Sequence, residues 1–362
     1  MTGNHNHDDA SSMKRIKTCE NHGVATWSDL NHDVLFLVMM QLGVIDFLAF
    51  GGVCKSWRLL TVSNKNKFMA SRPPMSISIS TDANEKECYL DDSEGRKFKT
   101  ILPHSTGRKY VGLTCGYLIL FDAERKDFWL VNPITRHELY FPRVPTDDPY
   151  IFKVILVFSP SISESVLVRF SRCINKIWFC MAGKQKWGHV SISYFIHDLR
   201  AFKGKIYALH SFPTRLSEVR LYPTPKVTLL EIKNFPQPYC YPMFISSCEN
   251  LYMMDPFKDS SSKIHEIDFS KMECVSGEKT GKEFAIFFSM YSHVDYVIGS
   301  SAQLWADFHS QYLVTLQNIL SQKIHSRYRI FFVDRKCPKP KIFYGEMWYF
   351  FHECLNVNLL CD

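Results

Sequence analysis

The sequence predicts a mainly β protein headed by a small α-helical module. Three observations carry this reading. Apolar residues recur at helical spacing between Trp27 and Trp57. After Pro73-Pro74 the period switches to two, and MSISIS alternates apolar and polar side chains as a half-buried strand does. Short apolar runs then follow one another, separated by turn residues, without the helical stretches that alternating β and α units require.

Residues 1–24 read as a flexible, solvated tail. MTGNHNHDDASSMKRIK has no apolar h-region, so it is not a secretory signal. Lys14, Arg15 and Lys17 resemble a weak nuclear signal but are balanced by Asp8, Asp9 and Glu20.

The first helix is predicted from Leu35, Val38, Met39 and Leu42, which stand at i, i+3, i+4 and i+7. Asn31 is placed to cap it by accepting a free backbone N–H, and Asp33 suits the positive end of its dipole. Gly43 is expected as its left-handed C′ residue. Asp46 is expected to cap a second helix through Phe47, Leu48 and Phe50. Gly51-Gly52 weakens that helix, since each glycine costs ~1 kcal/mol against alanine. Val53, Cys54 and Trp57 continue from Phe50 at helical spacing, with Lys55 and Arg58 facing away. So small a unit buries too little surface to be strongly stable alone. It is either a cap on the next domain or a docking module whose apolar face a partner completes.

In the body, GYLILFD and DFWLVNP flank the polar turn AERK and form a hairpin, and Pro133 suits the second position of a β-turn. Further strands are expected at RHELYFP, FKVILVFS, SVLVRFS, NKIWFCM, AFKGKIYAL, EVRLY, VTLLEIK, NLYMMD, IHEIDF, FAIFFSM and RYRIFFVD, with Lys203-Gly204 as a tight bend. The pattern implies a sandwich, barrel or propeller. At ~40–50 residues per four-stranded blade, a propeller of this length holds six or seven blades.

Composition narrows function. With 362 residues, 46% hydrophobic and 14% aromatic, the chain can build one large core or two ordinary ones. The net charge of +7 is spread along the chain, which argues against a nucleic-acid partner. The longest apolar run near the N-terminus, VLFLVMM, is too short to span a bilayer. The twelve cysteines include no C-x-x-C pair, and Cys173 and Cys180 are seven apart, so neither a disulfide set nor a metal site is expected. The apolar company of Cys54, Cys180 and Cys354 suggests small buried thiols. There is no N-x-S/T sequon. These features fit a reducing compartment, the cytoplasm or nucleus.

No catalytic residue or cofactor site is expected. The chain lacks G-x-S-x-G and H-E-x-x-H strings. GEKTGKE is one residue short of a phosphate loop and has no Ser or Thr after Lys282. His352-Glu353-Cys354 places adjacent residues on opposite faces of a strand. His5, His7 and His22 are incidental residues of the tail.

The string L-x-x-D-V-L-x-x-V…L…D-x-L…F…V-C-K-S-W-R resembles the F-box, the module that tethers a substrate receptor to the Skp-type adaptor of SCF ubiquitin ligases. The matching positions are Leu30, Asp33, Val34, Leu35, Val38, Leu42, Asp46, Leu48, Val53, Cys54 and Trp57. VCKSWR is similar to the ending found in plant F-box proteins. The resemblance implies an F-box over 25–70 that docks on the adaptor, and through it on a cullin scaffold, with Leu30, Val34, Leu35, Val38, Leu42 and Trp57 at the contact. Two departures stand out. Asn31 occupies the usual proline position, and Ala49 and Gly51 replace arginines.

GYLILFDAERKDFWLVNPITRHELYFP resembles plant F-box-associated domains. NKIWFCMAGKQKWGHV, HDLRAFKGKIYAL, RYRIFFVD and MWYFFHECLN resemble the KIB-type β-propeller, implying such a propeller over 71–362. The segment 295–326 matches least, and Leu304, Trp305, Phe308, Tyr312 and Leu316 fit the face of an inserted helix. The combination implies a non-catalytic substrate receptor whose propeller holds an unknown target protein. The alternative is a stand-alone binding or inhibitory propeller with a degenerate head, motivated by Asn31, Ala49 and Gly51-Gly52.

Overall fold

In a computed structural model, the described residues are 27, 30–298 and two later segments, 341–345 and 347–349. Within 30–298 the description omits 73, 81–85, 93–94, 147–152, 159–164, 172–174, 211–212, 237–241, 247–249, 255–263, 277–284 and 290–295. The chain divides after Lys65 into a helical unit and a β unit.

The helical elements are α1 (His32–Met39), α2 (Val44–Gly51) and α3 (Lys55–Ala70). Asn31 caps α1 as expected, its Oδ1 accepting the Asp33 N–H at 2.8 Å, and Asp33 lies in the first turn. Three expectations need correction. Gly43 is extended, at φ −69° and ψ 169°, and is the N-cap of α2. It has no left-handed role because α1 already ends at its C-cap Met40, with the Met40 N–H reaching the Phe36 carbonyl and the Gln41 N–H that of Val38. Asp46 is therefore inside the first turn of α2, where its charge suits the dipole, and it is not the cap. Val53 and Cys54 lie between helices, since α3 starts at Lys55. No described helix is long and apolar enough to cross a membrane.

The β unit is built of short antiparallel hairpins. Its first sheet contains β1 (Met75–Ile79), β2 (Glu87–Asp91) and β3 (Lys97–Ile101). The second holds β4 (Lys109–Thr114), β5 (Tyr117–Phe121), β6 (Phe128–Val131) and β7 (Glu138–Phe141). The third holds β8 (Lys153–Phe158), β9 (Ser165–Phe170), β10 (Lys176–Met181) and β11 (Gly188–Ser191). The fourth holds β12 (Ile196–Phe202), β13 (Lys205–His210), β14 (Arg215–Arg220) and β15 (Lys226–Leu230). The fifth begins with β16 (Met243–Ser246), β17 (Leu251–Met254), β18 (His265–Asp268) and β19 (Glu273–Ser276). It is extended by β20 (Ala285–Ser289), β21 (Tyr296–Ile298) and β22 (Lys341–Gly345), with parallel pairing of β16 to β21 and of β20 to β22. Finally β23 (Met347–Tyr349) returns to the first sheet and pairs antiparallel with β1, Met75 opposite Tyr349.

The first strands of successive sheets, β4, β8, β12 and β16, lie beside one another, as the inner strands of propeller blades do. Where six or seven blades were expected, the described residues form five sheets. The RYRIFFVD strand and the inserted helix fall outside the described residues. The strands missed by the sequence pattern include β2, β4, β16 and β19 and two polar edges, β3 and β11. β3 buries only Thr100, and β11 buries only Val190.

The turns carry a repeat that sequence similarity hides. Asp122, Asn132 and Asp268 each accept two backbone N–H groups through Oδ1, from Glu124 and Arg125, from Ile134 and Thr135, and from Ser270 and Lys271, at 2.9–3.1 Å. Each loop then closes on a residue with positive φ, namely Lys126, Arg136 and Met272. Two-residue hairpins at Cys115-Gly116 and Lys203-Gly204 have φ of 46°, 79° and 48°, 74°, the conformation that matches strand twist.

The hydrophobic core lies between neighbouring sheets. Leu130 and Phe141 of the second pack with Leu156 and Leu167 of the third, and Val168 and Ile177 of the third pack with Leu199 and Ile206 of the fourth. Leu209 of the fourth packs with Phe244 and Met253 of the fifth. Asp198 on β12 ties three blades together. Its Oδ1 meets Lys153 Nζ of β8 at 2.5 Å, and its Oδ2 accepts the Phe244 N–H of β16 at 2.8 Å. Burial opposes the charge on this carboxyl, yet Lys153 and the backbone donors of Phe244 and Leu199 hold it below the usual carboxylate range.

Asp198→Ala leaves Lys153 buried without its partner and is expected to cost about 3–5 kcal/mol in urea unfolding at pH 7. Folding lowers the carboxyl's pKa. Its contribution is therefore full above the ordinary carboxylate value and is lost as pH falls through the lowered folded value. The difference between wild type and Asp198→Asn is expected to shrink over that acid range.

Candidate functional site

The helical unit is small, and α1 explains why it is incomplete. Residues 34–39, VLFLVM, offer α1 no polar face. One side turns inward. Leu35 and Met39 are 1% and 0% exposed and belong to the buried apolar set with Phe47, Phe50 and Leu60. The other side turns out. Val34, Leu37 and Val38, at i, i+3 and i+4, are 46%, 63% and 44% exposed. A helix that is apolar all round is stable when covered all round, so this outward side calls for a partner.

The α2–α3 corner is held tightly. The rings of Phe50 and Trp57 stack with centroids 4.2 Å apart. Thr61 Oγ1 donates to the Trp57 carbonyl at 2.8 Å, and its methyl lies where a Cβ on Gly51 would approach to 3.3 Å. Gly51 therefore serves this close approach, which accounts for the absence of a large residue there. His32 Nε2 lies 3.2 Å from Ser56 Oγ, linking the starts of α1 and α3.

The expected adaptor residues separate into three groups. Leu35 is core and offers no surface to a partner. Asp33, Val34, Val38 and Val53 are exposed. Leu30, Leu42, Leu48, Cys54 and Trp57 are half-buried, and among them the Trp57 indole N–H is buried without an acceptor. Sequence reasoning missed Leu37, Leu59 and Val62, all exposed. The signal was present. Leu59 and Val62 share an i, i+3 face, and Leu37 completes the second apolar side of α1.

The β unit shows no reaction centre among the described residues. None of its His, Cys, Asp and Glu side chains cluster in a way that could hold a metal ion. Burial pushes the thiols of Cys88, Cys180 and Cys274 up to about 12, 11 and 12, so they stay protonated and unreactive at neutral pH. Cys54 is only half-buried, and Cys354 lies outside the described residues. His210 and Ser217 share a 2.7 Å hydrogen bond, but both are sealed from solvent and burial pushes the imidazole's pKa down. GEKTGKE and His352-Glu353-Cys354 fall outside the described residues.

Comparison with known proteins gives two family matches. The KIB1-4 beta-propeller model matches residues 89–285, more than half of the chain, and the F-box domain model matches residues 27–69. No curated protein matches. Solved structures give weak likenesses. A streptogramin B lyase is 11% identical over 56% of this chain and 68% of its own, with a TM-score of 0.36. Virginiamycin B lyase from Staphylococcus aureus is 13% identical over 56% and 69%, at 0.35. YCF48 from Cyanidioschyzon merolae is 11% identical over 62% and 77%, at 0.37. Scores this low lend nothing to the assignment of fold or activity.

The two sides of α1 are separable by mutation. Leu35→Ala is expected to destabilise the helical unit by about 2–4 kcal/mol. Val34→Asp and Val38→Asp are expected to change stability by no more than ~0.5 kcal/mol. Helical circular dichroism during urea unfolding of the full chain checks both.

Proposed function

Since the chain belongs to the KIB1-4 beta-propeller family and carries an F-box ahead of the propeller, we propose that it is the substrate-recognition subunit of an SCF-type ubiquitin ligase. The observation that carries this reading is the exposed side of α1, with Val34, Leu37 and Val38 outward on a helix that already buries Leu35 and Met39. A Skp-type adaptor that covers this side completes the unit and joins the chain to a cullin scaffold. Val53 and the half-buried Leu30, Leu42, Leu48, Cys54 and Trp57 flank the contact or support it. We take the F-box as 25–70, the propeller as 71–362, and the working compartment as the cytoplasm or nucleus.

The mechanism is proximity. The receptor makes and breaks no bond of its own. It holds a target protein on the propeller at high effective concentration beside a charged ubiquitin carrier. Two of the departures that motivate the stand-alone reading fit the helical unit. Asn31 supplies a working cap, and Gly51 fits closely against Thr61.

Co-purification of the full chain with a Skp-type adaptor tests the proposal. Wild type is expected to retain the adaptor, and the Val34→Asp, Val38→Asp double variant is expected to bind at least tenfold more weakly while keeping its helical signal. Absence of adaptor binding by wild type at micromolar concentration would return the weight to a stand-alone propeller.

A further inference from the structure

Strand register shows where the joint between the third and fourth blades is slack. One row across the third blade reads Val157, Val166 and Met181. A row across the fourth reads Ala201, Ile206, Val219 and Val227. Both rows belong to the core that the two blades share, and their side chains are mostly small. One step inward, the third blade reads Ile155, Val168 and Phe179. There the packing is close, since a Cβ on Gly188 would lie 2.6 Å from the Phe179 ring. The joint is filled at that step and under-filled at its end.

A cavity of about 200 Å³ lies at the under-filled end. Val157 and Val166 line it from the third blade, and Ile206, Val219, Leu221 and Tyr222 from the fourth. Lys205, Glu218 and Arg220 reach it as well. Alternation turns their side chains to the fifth-blade face, so they meet the cavity through polar backbone. Protein interiors keep few voids larger than a water molecule. An apolar void of ~150 Å³ takes up benzene, so this one has room for a single ring. A wholly apolar guest would leave the polar part of the wall unmatched. A hydrogen-bond donor on the guest suits that part, because a strand carbonyl keeps a second lone pair after its ladder bond.

We propose that this cavity is a binding site for a phenol. The ring occupies the space beside Val157, Val166, Ile206 and Val219, and the hydroxyl donates to strand backbone in the wall. A drug-sized ligand is too large, since such ligands need ~300–1,000 Å³. The same chemistry can arrive as a free small molecule or as a tyrosyl side chain of a bound protein. All of the lining residues belong to the β unit, so the site does not depend on the adaptor reading above.

The test titrates p-cresol and toluene into the full chain carrying methyl-labelled isoleucine and follows the methyl resonances by NMR. The resonances of Ile206 and Ile119 are identified by their loss in Ile206→Val and Ile119→Val. At low-millimolar p-cresol the Ile206 methyl is expected to move, while Ile119 in the core between the second and third blades stays in place. Toluene, which lacks the hydroxyl, is expected to bind several-fold more weakly. Val166→Phe places a ring of the protein's own in the cavity. It is expected to weaken p-cresol binding at least tenfold without lowering the thermal midpoint. If its midpoint does fall, Val219→Ile, which adds one methylene, supplies the comparison and is expected to weaken binding several-fold. The inference is overturned if Ile206 does not respond to p-cresol, if toluene binds as tightly, or if the folded cavity-filling variant binds as wild type does. A short peptide of Gly and Ser around one Tyr is titrated alongside. Binding of the peptide assigns the guest to a protein side chain, and binding of p-cresol alone assigns it to a free molecule. Either result upholds the site.

Discussion

The β unit depends on a closure. The first sheet has three strands from the start of the unit and receives its inner strand, β23, from the far end of the described chain. A ring of sheets that is not closed exposes an inner edge of unpaired backbone groups, and such an edge invites pairing with other chains. Met75, Ser76 and Ile77 are opposed by Tyr349, Trp348 and Met347, and the Tyr349 hydroxyl continues to Asn132 Oδ1 in the second sheet at 3.2 Å. Asn132 also nucleates its own hairpin turn. One side chain thereby joins local turn chemistry to the joint that shuts the ring.

Between the blades, apolar packing supplies the bulk of the attraction and a few polar ties fix the alignment. Trp187 Nε1 donates to the Pro142 carbonyl at 2.9 Å, joining the second and third blades. The Leu156 N–H reaches Thr114 Oγ1 at 2.9 Å across the same joint. Asp198 performs the equivalent task for the third, fourth and fifth. Buried polar groups of this kind are costly when mismatched, so they penalise any sliding of one blade against the next. A rigid ring leaves its loops and outer faces free to vary, which suits a surface for recognising proteins.

The helical unit follows a different logic. The β unit finishes its own core, whereas α1 keeps an apolar side outward. Burying Leu35 and Met39 secures the small unit, and leaving Val34, Leu37 and Val38 uncovered prepares it for assembly. Removing that exposed side would favour a self-sufficient unit and abolish the reason for a partner.

The sequence alone determined the class of each half. A period of 3.6 marked α1, a period of 2 marked β1, and short continuous apolar runs marked strands buried on both faces such as β5, β8 and β9. The Asn31 cap and the Lys203-Gly204 bend were equally local, because each depends on neighbours within a few residues. The F-box string was legible for the same reason. Only the tertiary structure decided what long-range contacts fix. It assigned Leu35 to the core and Val38 to the surface, although both had been placed on one docking face, because helical spacing names a stripe without saying what covers it. It moved Gly43 from the end of α1 to the start of α2, since a glycine next to a helix fits either role until the hydrogen bonds choose. It revealed the polar edge strands β3 and β11, whose order comes from pairing and not from an apolar pattern of their own. It also gathered Val157, Val166, Ile206 and Val219 around one cavity, because only strand register and blade packing can bring such separated residues together.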